Sequence, residues 1–274
     1  MTKPMEKTYE IINAHTHIYP QKIAEKATHA IGDFYDIKMQ MPAGTTDRLL
    51  STGKDAGISK FVVHSCATKP HQVRAINEFI KSEIDAHQEF IGFMTLHQDL
   101  TETDIEEEIS WCLERGFRGI KLHPDFQKFY IDSEDAKKIY RAVSKINKPF
   151  PILFHIGDDR YDFSNPNRLV KIAKEFPMVT FIAAHFGGYR MWDKHIVYKG
   201  LDNVYFDTCS SLMFITPGKA KQIIDDLGYE KFFFGDDFPM WDIKGELERF
   251  FEIPLTEQER QAILSKNIKK LLDI

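Results

Sequence analysis

The sequence predicts an α/β fold, a (β/α)8 TIM barrel forming a single domain over residues 1–274, and three observations carry that prediction. Eight short apolar runs rich in β-branched and aromatic residues recur, after the first, at intervals of 24 to 34 residues. Segments of helical period with recognisable ends separate them. Several runs are nearly continuous in apolar residues, as parallel strands covered on both faces are. An open doubly wound sheet is the alternative, but no Gly-rich phosphate loop follows the first run.

The first strand is read over "YEIINAHTH" (9–17). From 18 to about 45 the chain is longer than an ordinary βα connection and is expected to fold over the barrel mouth, as a lid or as host to substrate contacts. Strands two to four are "KFVVHS" (60–65), "FIGFMTLH" (90–97) and "FRGIKLH" (117–123). The remaining four are "PILFHIG" (151–157), "VTFIAAH" (179–185), "NVYFD" (203–207) and "KFFFGDD" (231–237). Among the helices, "TETDIEEEISWCLERG" has acids in its first turn and Gly116 at its end. "SEDAKKIYRAVSKINK" follows strand four, while "NPNRLVKIAKEF" and "TPGKAKQIIDDLG" place Pro166 and Pro217 at the first helical position. The tail "TEQERQAILSKNIKKLLDI" opens with a capping box from Thr256 to Glu259 and reads as one amphipathic helix.

Composition narrows the partners. The net charge of −5 is well mixed, so no basic stripe invites nucleic acid or an acidic membrane. No run approaches the roughly 18 apolar residues of a membrane span, and "MTKPMEKTYE" has no apolar leader core. Three cysteines, Cys66, Cys112 and Cys209, lie far apart and suit a reducing compartment. The expectation is a cytoplasmic protein acting on a small molecule, with a homodimer as the candidate assembly.

Seven of the eleven histidines (His15, His17, His64, His97, His123, His155, His185) end predicted strands, and Asp207 and Asp237 end the last two. In a barrel, that end carries the chemistry. Side chains two apart on a strand point the same way, so His15 and His17 form a chelating pair. Imidazole suits Zn²⁺, Mn²⁺ or Fe²⁺, and a catalytic site needs about three protein ligands and an open position. His155 and Asp237 are read as the other ligands of one divalent cation per chain, zinc first. His64 and His97 have either a direct role or a packing role near the rim. His29, His71, His87 and His195 read as surface or capping residues. Of the two carboxylates in "GDD", strand alternation turns Asp237 inward and Asp236 toward a neighbouring element.

Together "NAHTH", "GIKLHPDFQ", "LFHIG", "IAAHFGG", "VYFDTCS", "FFFGDDFP" and "ILSKNIKKLL" resemble the amidohydrolase superfamily. They are most similar to the amidohydrolase-related (amidohydrolase 2) branch, which includes aminocarboxymuconate semialdehyde and resorcylate decarboxylases. The resemblance implies a mononuclear centre on His15, His17, His155 and Asp237, with His185 as the base that activates metal-bound water. Lys121 falls where binuclear relatives carry a carboxylated lysine, and its setting "KLHP" resembles the unmodified form. Lys121 and His123 are then groups that hold a substrate carboxylate or polarise a carbonyl; the alternative for Lys121 is a structural ion pair. One departure stands out, since Asp236 replaces the hydroxyl residue usual before the last ligand.

A divalent cation lowers the pKa of water from about 15.7 to near 7, and His185 is suited to accept that proton. The first expectation is therefore a hydrolase acting on an amide, ester or lactone, with His185 and Asp237 moving protons. The alternative is a lyase, a non-oxidative decarboxylase of an aromatic or unsaturated acid built on the same constellation. Arg48 and Arg190 are candidate carboxylate clamps in both. A barrel that only binds metal or metabolite is the remaining option.

Overall fold

A computed structural model of the chain describes residues 9–274, so most of the opening segment "MTKPMEKTYE" lies outside the described residues. Eight parallel strands pair in sequence order. They are β1 (Ile12–His17), β2 (Lys60–His64), β3 (Phe90–Thr95), β4 (Gly119–Leu122), β5 (Ile152–Phe154), β6 (Phe181–Ala183), β7 (Val204–Asp207) and β8 (Phe232–Phe233). The backbone beyond β8 returns to β1: Ala14 N donates to Phe234 O at 2.8 Å, Asp237 N to His15 O at 3.0 Å and His17 N to Phe238 O at 2.7 Å. These bonds bring the two edges of the sheet together, and the predicted barrel is what forms.

Most strands stop short of the predicted runs. His97, His123, His155, His185 and Asp237 lie one to four residues past their ladders, and all but His97 line one cavity at the mouth. In β1 the register with β2 shifts between Asn13 and Thr16, so this stretch carries a bulge. Its consequence is a change of parity. Ile12 and Ala14 belong to the apolar filling of the barrel with Val62, Phe93, Leu153, Ile182 and Phe233, yet His15 and His17 above them also face inward.

The helices sit outside, packing on the outward faces of the strands. The connection after β1 is not an extended loop: α1 (Gln21–Tyr35) occupies its first half and α2 (Thr46–Asp55) follows it. Buried Ala24, Thr28, Gly32 and Tyr35 have helical spacing, but Pro20 supplies no side-chain cap, so the usual start signal is missing. The ring is continued by α3 (Val73–Ala86), α4 (Glu102–Glu114), short α5 (Pro124–Gln127), α6 (Glu134–Val143), α7 (Pro166–Glu175) and α8 (Pro217–Leu227). Between β6 and β7 only a 3-10 segment, Trp192–Tyr198, is helical. After β8 come α9 (Ile243–Glu252), α10 (Glu257–Gln261) and α11 (Asn267–Leu272). A π-helical turn, Ala262–Lys266, interrupts the tail that reads as one helix. Ile268 and Leu272 of α11 join the apolar filling of the barrel.

Glu246 in α9 is fully buried, and its Oε2 has no hydrogen-bond partner among the described residues. Burial, against the opposing pull of Arg249, pushes its carboxyl up to about 7. A raised carboxyl stabilises the fold fully below its unfolded pKa and loses that contribution as pH rises through the folded value. The variant Glu246→Gln is therefore expected to match the wild type near pH 4.5 and to exceed it at pH 8 by on the order of 2–3 kcal/mol. Urea unfolding at the two pH values measures this, and a difference independent of pH would contradict it.

Candidate metal centre

The strand ends enclose a narrow cavity of about 20 Å³, room for roughly one water. Its polar wall is His15, His17, Lys121, His123, His155, His185 and Asp237; Ile31, Tyr35, Met39, Phe126 and Met240 roof it. The extension after β1 thus supplies Ile31, Tyr35 and Met39 to the cavity.

His15 is the most constrained ring. Its Nδ1 donates to Asp207 Oδ2 at 2.7 Å, and Lys121 Nζ stands 2.7 Å from its Nε2. A carboxylate only accepts and an ammonium only donates. Both neighbours therefore select one tautomer, with the proton on Nδ1 and the Nε2 lone pair turned into the cavity. Asp207 is itself held by the backbone N–H of His185 at 2.8 Å and by the Cys209 thiol at 2.9 Å. Burial opposes its charge, but His15 and His185 outweigh burial and bring its carboxyl down to about 2.

Asp237 Oδ1 lies 3.4 Å from His15 Nε2 and 3.3 Å from His17 Nε2. With His15 in the tautomer above, a lone pair and a carboxylate oxygen face one another at that distance, an arrangement that a shared cation resolves. Burial lowers His17 to about 4, so the ring is neutral, as a ligand must be. Ser210 Oγ donates to Asp237 Oδ2 at 2.6 Å and accepts from Trp241 Nε1 at 2.8 Å, fixing the carboxylate from behind. Asp237 (φ 62°) and His185 (φ 63°) both have left-handed backbone, a conformation that side chains other than glycine adopt at a cost and that clusters at functional sites.

His155 is in the same cavity but faces elsewhere. Its Nε2 donates to Gly157 O at 2.8 Å and its Nδ1 lies 2.9 Å from His185 Nε2. His123 stacks on it with centroids 4.1 Å apart. Tyr35 Oη bridges the two rings, 2.9 Å from His123 Nε2 and 3.3 Å from His155 Nε2. Burial depresses His155 and His123 well below the ordinary range and lowers His185 to about 4. Asp125 Oδ2 lies 3.7 Å from His155 Nε2 and accepts from Ser164 Oγ at 2.6 Å. Burial raises the Asp125 carboxyl to about 7.

Other candidates lie apart. Arg190 is exposed in a neighbouring groove, its guanidinium 5.3 Å and 5.1 Å from the Tyr189 and Phe214 ring centres. Arg48 is exposed on α2. Asp236 is buried away from the cavity and accepts from Phe238 N at 2.9 Å. His97 is buried and accepts from Asp99 N. His195 corrects the surface reading: it is buried, with Nε2 on Asp226 Oδ2 at 2.8 Å. Sequence reasoning gave no role to Tyr35, Asp125, Asp207, Cys209 or Ser210. Of these, Asp207 carried a signal, since it ends a strand.

Three groups of donor atoms close enough to hold an ion occur among the described residues: His15, His17 and His64; His15, Cys209 and Asp237; and His185, Asp207 and Cys209. Two neutral imidazoles and a carboxylate are a donor set suited to a divalent cation. The sequence matches the amidohydrolase family over residues 12–274. This chain is an amidohydrolase-family protein. A search of curated proteins finds no match. Among solved structures, this family member resembles a 2,6-dihydroxybenzoate decarboxylase from Rhizobium, with TM-score 0.73 and 17% identity over 97% of this chain and 99% of the other. A 5-carboxyvanillate decarboxylase from Novosphingobium aromaticivorans, complexed with manganese and 4-hydroxy-3-methoxy-5-nitrobenzoic acid, gives 0.77 and 16% over 98% and 97%. An uncharacterised TIM-barrel protein from Bordetella bronchiseptica gives 0.80 and 15% over 96% and 98%.

Because Asp207 orients His15 without facing the cavity, Asp207→Asn is expected to leave the fold intact and weaken divalent-metal affinity about 10- to 100-fold. Chelator competition measures it. An affinity equal to the wild type would remove Asp207 from the account.

Proposed function

We propose that the protein is a divalent-metal-dependent, non-oxidative decarboxylase of a small aromatic or unsaturated acid. The observation that carries the reading is a buried acid behind the cavity wall: Asp125 Oδ2 lies 3.7 Å from His155 Nε2, and burial pushes its carboxyl up to about 7, so that it can serve as a proton donor. Decarboxylation must deliver H⁺ to carbon, whereas hydrolysis needs a base for water. The decarboxylases of similar fold, one of them holding manganese and a nitrobenzoic acid, add support. Hydrolysis, the first expectation from the sequence, is the less supported reading.

His15, His17 and Asp237 hold the cation in this scheme, with His155 as the further ligand implied by the family resemblance. When bound, the metal supplies an electrophile that fixes acidic oxygens of the substrate; manganese and zinc both suit the donors. Lys121 Nζ, no longer needed at His15 Nε2, holds the carboxylate together with His123. Ile31, Met39, Phe126 and Met240 give the flat apolar part of the substrate a dry surface. His185, its Nε2 2.9 Å from His155 Nδ1, passes the proton to the carbon bearing the carboxylate. Asp125 replenishes it. The carbon–carbon bond then breaks, its electron pair restores the substrate's unsaturation, and R–CO₂⁻ plus H⁺ becomes R–H plus CO₂. Tyr35 Oη, seated on His123 and His155, has to yield for a substrate to enter.

The test is to incubate manganese-loaded protein with dihydroxybenzoates and muconate-type acids in D₂O. One CO₂ per turnover and one deuterium at the vacated carbon are expected. The rate should fall as pH rises through about 7, and Asp125→Asn should lower the rate about tenfold or more and abolish that limb. Ester or lactone cleavage giving a new carboxylate without CO₂ would overturn the reading.

A further inference from the structure

We propose that Arg160 latches the end of α1 over the cavity, and so sets how readily Tyr35 leaves the place that a substrate must take. The latch rests on the reading that substrate binds in this cavity, and not on which bond breaks there.

The helix α1 is held over the mouth at one end. Among the described residues, its hydrogen bonds to the body of the barrel come from its last two residues alone: Tyr35 Oη sits on His123 and His155, and Phe34 O accepts from Arg160 Nη1. Beyond the helix the chain is anchored again, since Gln40 N and Met41 N donate to Met240 O and Pro239 O at 3.0 and 3.2 Å. The cavity underneath has room for roughly one water. A larger molecule therefore enters only when the end of α1 shifts, and that shift breaks both contacts.

Arg160 is itself fixed from the other side. Its Nε and Nη2 donate to Asp158 Oδ1 and Oδ2 at 3.0 and 2.8 Å, and its backbone N donates to Asp158 Oδ1 at 2.8 Å. Asp158 is buried, so two points of the guanidinium are pinned and Nη1 is left to reach Phe34 O. A lysine offers neither the fork nor the plane. The guanidinium also lies 4.8, 5.5 and 5.3 Å from the ring centres of Phe34, Tyr35 and Tyr161. Phe34 in turn meets Phe126, a wall of the cavity, edge to face at 4.6 Å. The loop that carries Arg160 is rooted at the site: Gly157, whose carbonyl accepts from His155, has φ 87°, and a Cβ there would lie 2.6 Å from Tyr189 N. One side chain thus ties the loop after β5 to the helix that supplies Tyr35.

Labelling of the full chain by diethyl pyrocarbonate with manganese present, followed by peptide mass spectrometry, tests the latch. It compares His123, whose Nε2 lies 2.9 Å from Tyr35 Oη, with His97, which is buried but does not line the cavity. Arg160→Met keeps an apolar stem beside Phe34 and removes the guanidinium. In this variant His123 is expected to react at least tenfold faster than in the wild type, with His97 within twofold of its wild-type rate. Tyr35→Ala should speed His123 at least as much, and adding Arg160→Met to it should bring no further gain, because the latch acts through Tyr35. If Arg160→Met does not fold, Arg160→Lys takes its place with an expected gain of threefold or more. An unchanged His123 rate, an equal acceleration of His97, or fully additive effects of the two substitutions overturns the inference. Labelling needs no turnover, so such a result leaves the decarboxylase reading to its own assay, and absence of CO₂ there leaves the latch standing.

Discussion

The hydrogen bond from His15 Nδ1 to Asp207 Oδ2, 2.7 Å long and closed to solvent, decides which edge of the imidazole looks into the barrel. A second partner enforces the same choice from the opposite side, because Lys121 can only donate to Nε2. Everything proposed for the mouth depends on that lone pair. Asp237 meets it from the segment after β8, His17 stands beside it, and the backbone bonds joining that segment to β1 fix the distances. The closure that completes the barrel therefore also assembles the donor set, and stability and site share the same bonds.

Burial then sorts the titratable groups. Desolvation disfavours charge on imidazoles and carboxylates alike, so the rings become neutral bases while an unpaired carboxyl keeps its proton. Asp207 and Asp237 escape because hydrogen-bond donors hold their charge, the His15 ring, the His185 N–H and the Cys209 thiol on Asp207 and the Ser210 hydroxyl on Asp237. Asp125 lacks compensation of that strength and rises. One barrel mouth thus holds carboxylates of lowered pKa beside His15 and His17 and, next to His155, a carboxyl raised to about 7.

The sequence made the barrel legible through its eight apolar runs, and the site through the polar residues that end them. His15, His17, Lys121, His123, His155, His185 and Asp237 all line one cavity. What it did not reveal depends on contacts between distant segments. Tyr35 enters the site from α1, whose start lacks a side-chain cap. The bulge that turns His15 and His17 inward has no glycine or proline to mark it. His195 reads as a surface residue until Asp226 is seen beside it. Only its charge marks Arg190 as a carboxylate clamp, and its loop carries it to the adjoining groove.

Metal analysis by plasma mass spectrometry, on protein purified without chelator and dialysed against manganese or zinc, tests the central claim most directly. One divalent cation per chain is expected in the wild type, and none in a His15→Ala variant that still folds. A wild type that retains no metal, or a His15→Ala protein that retains a full equivalent, would contradict it.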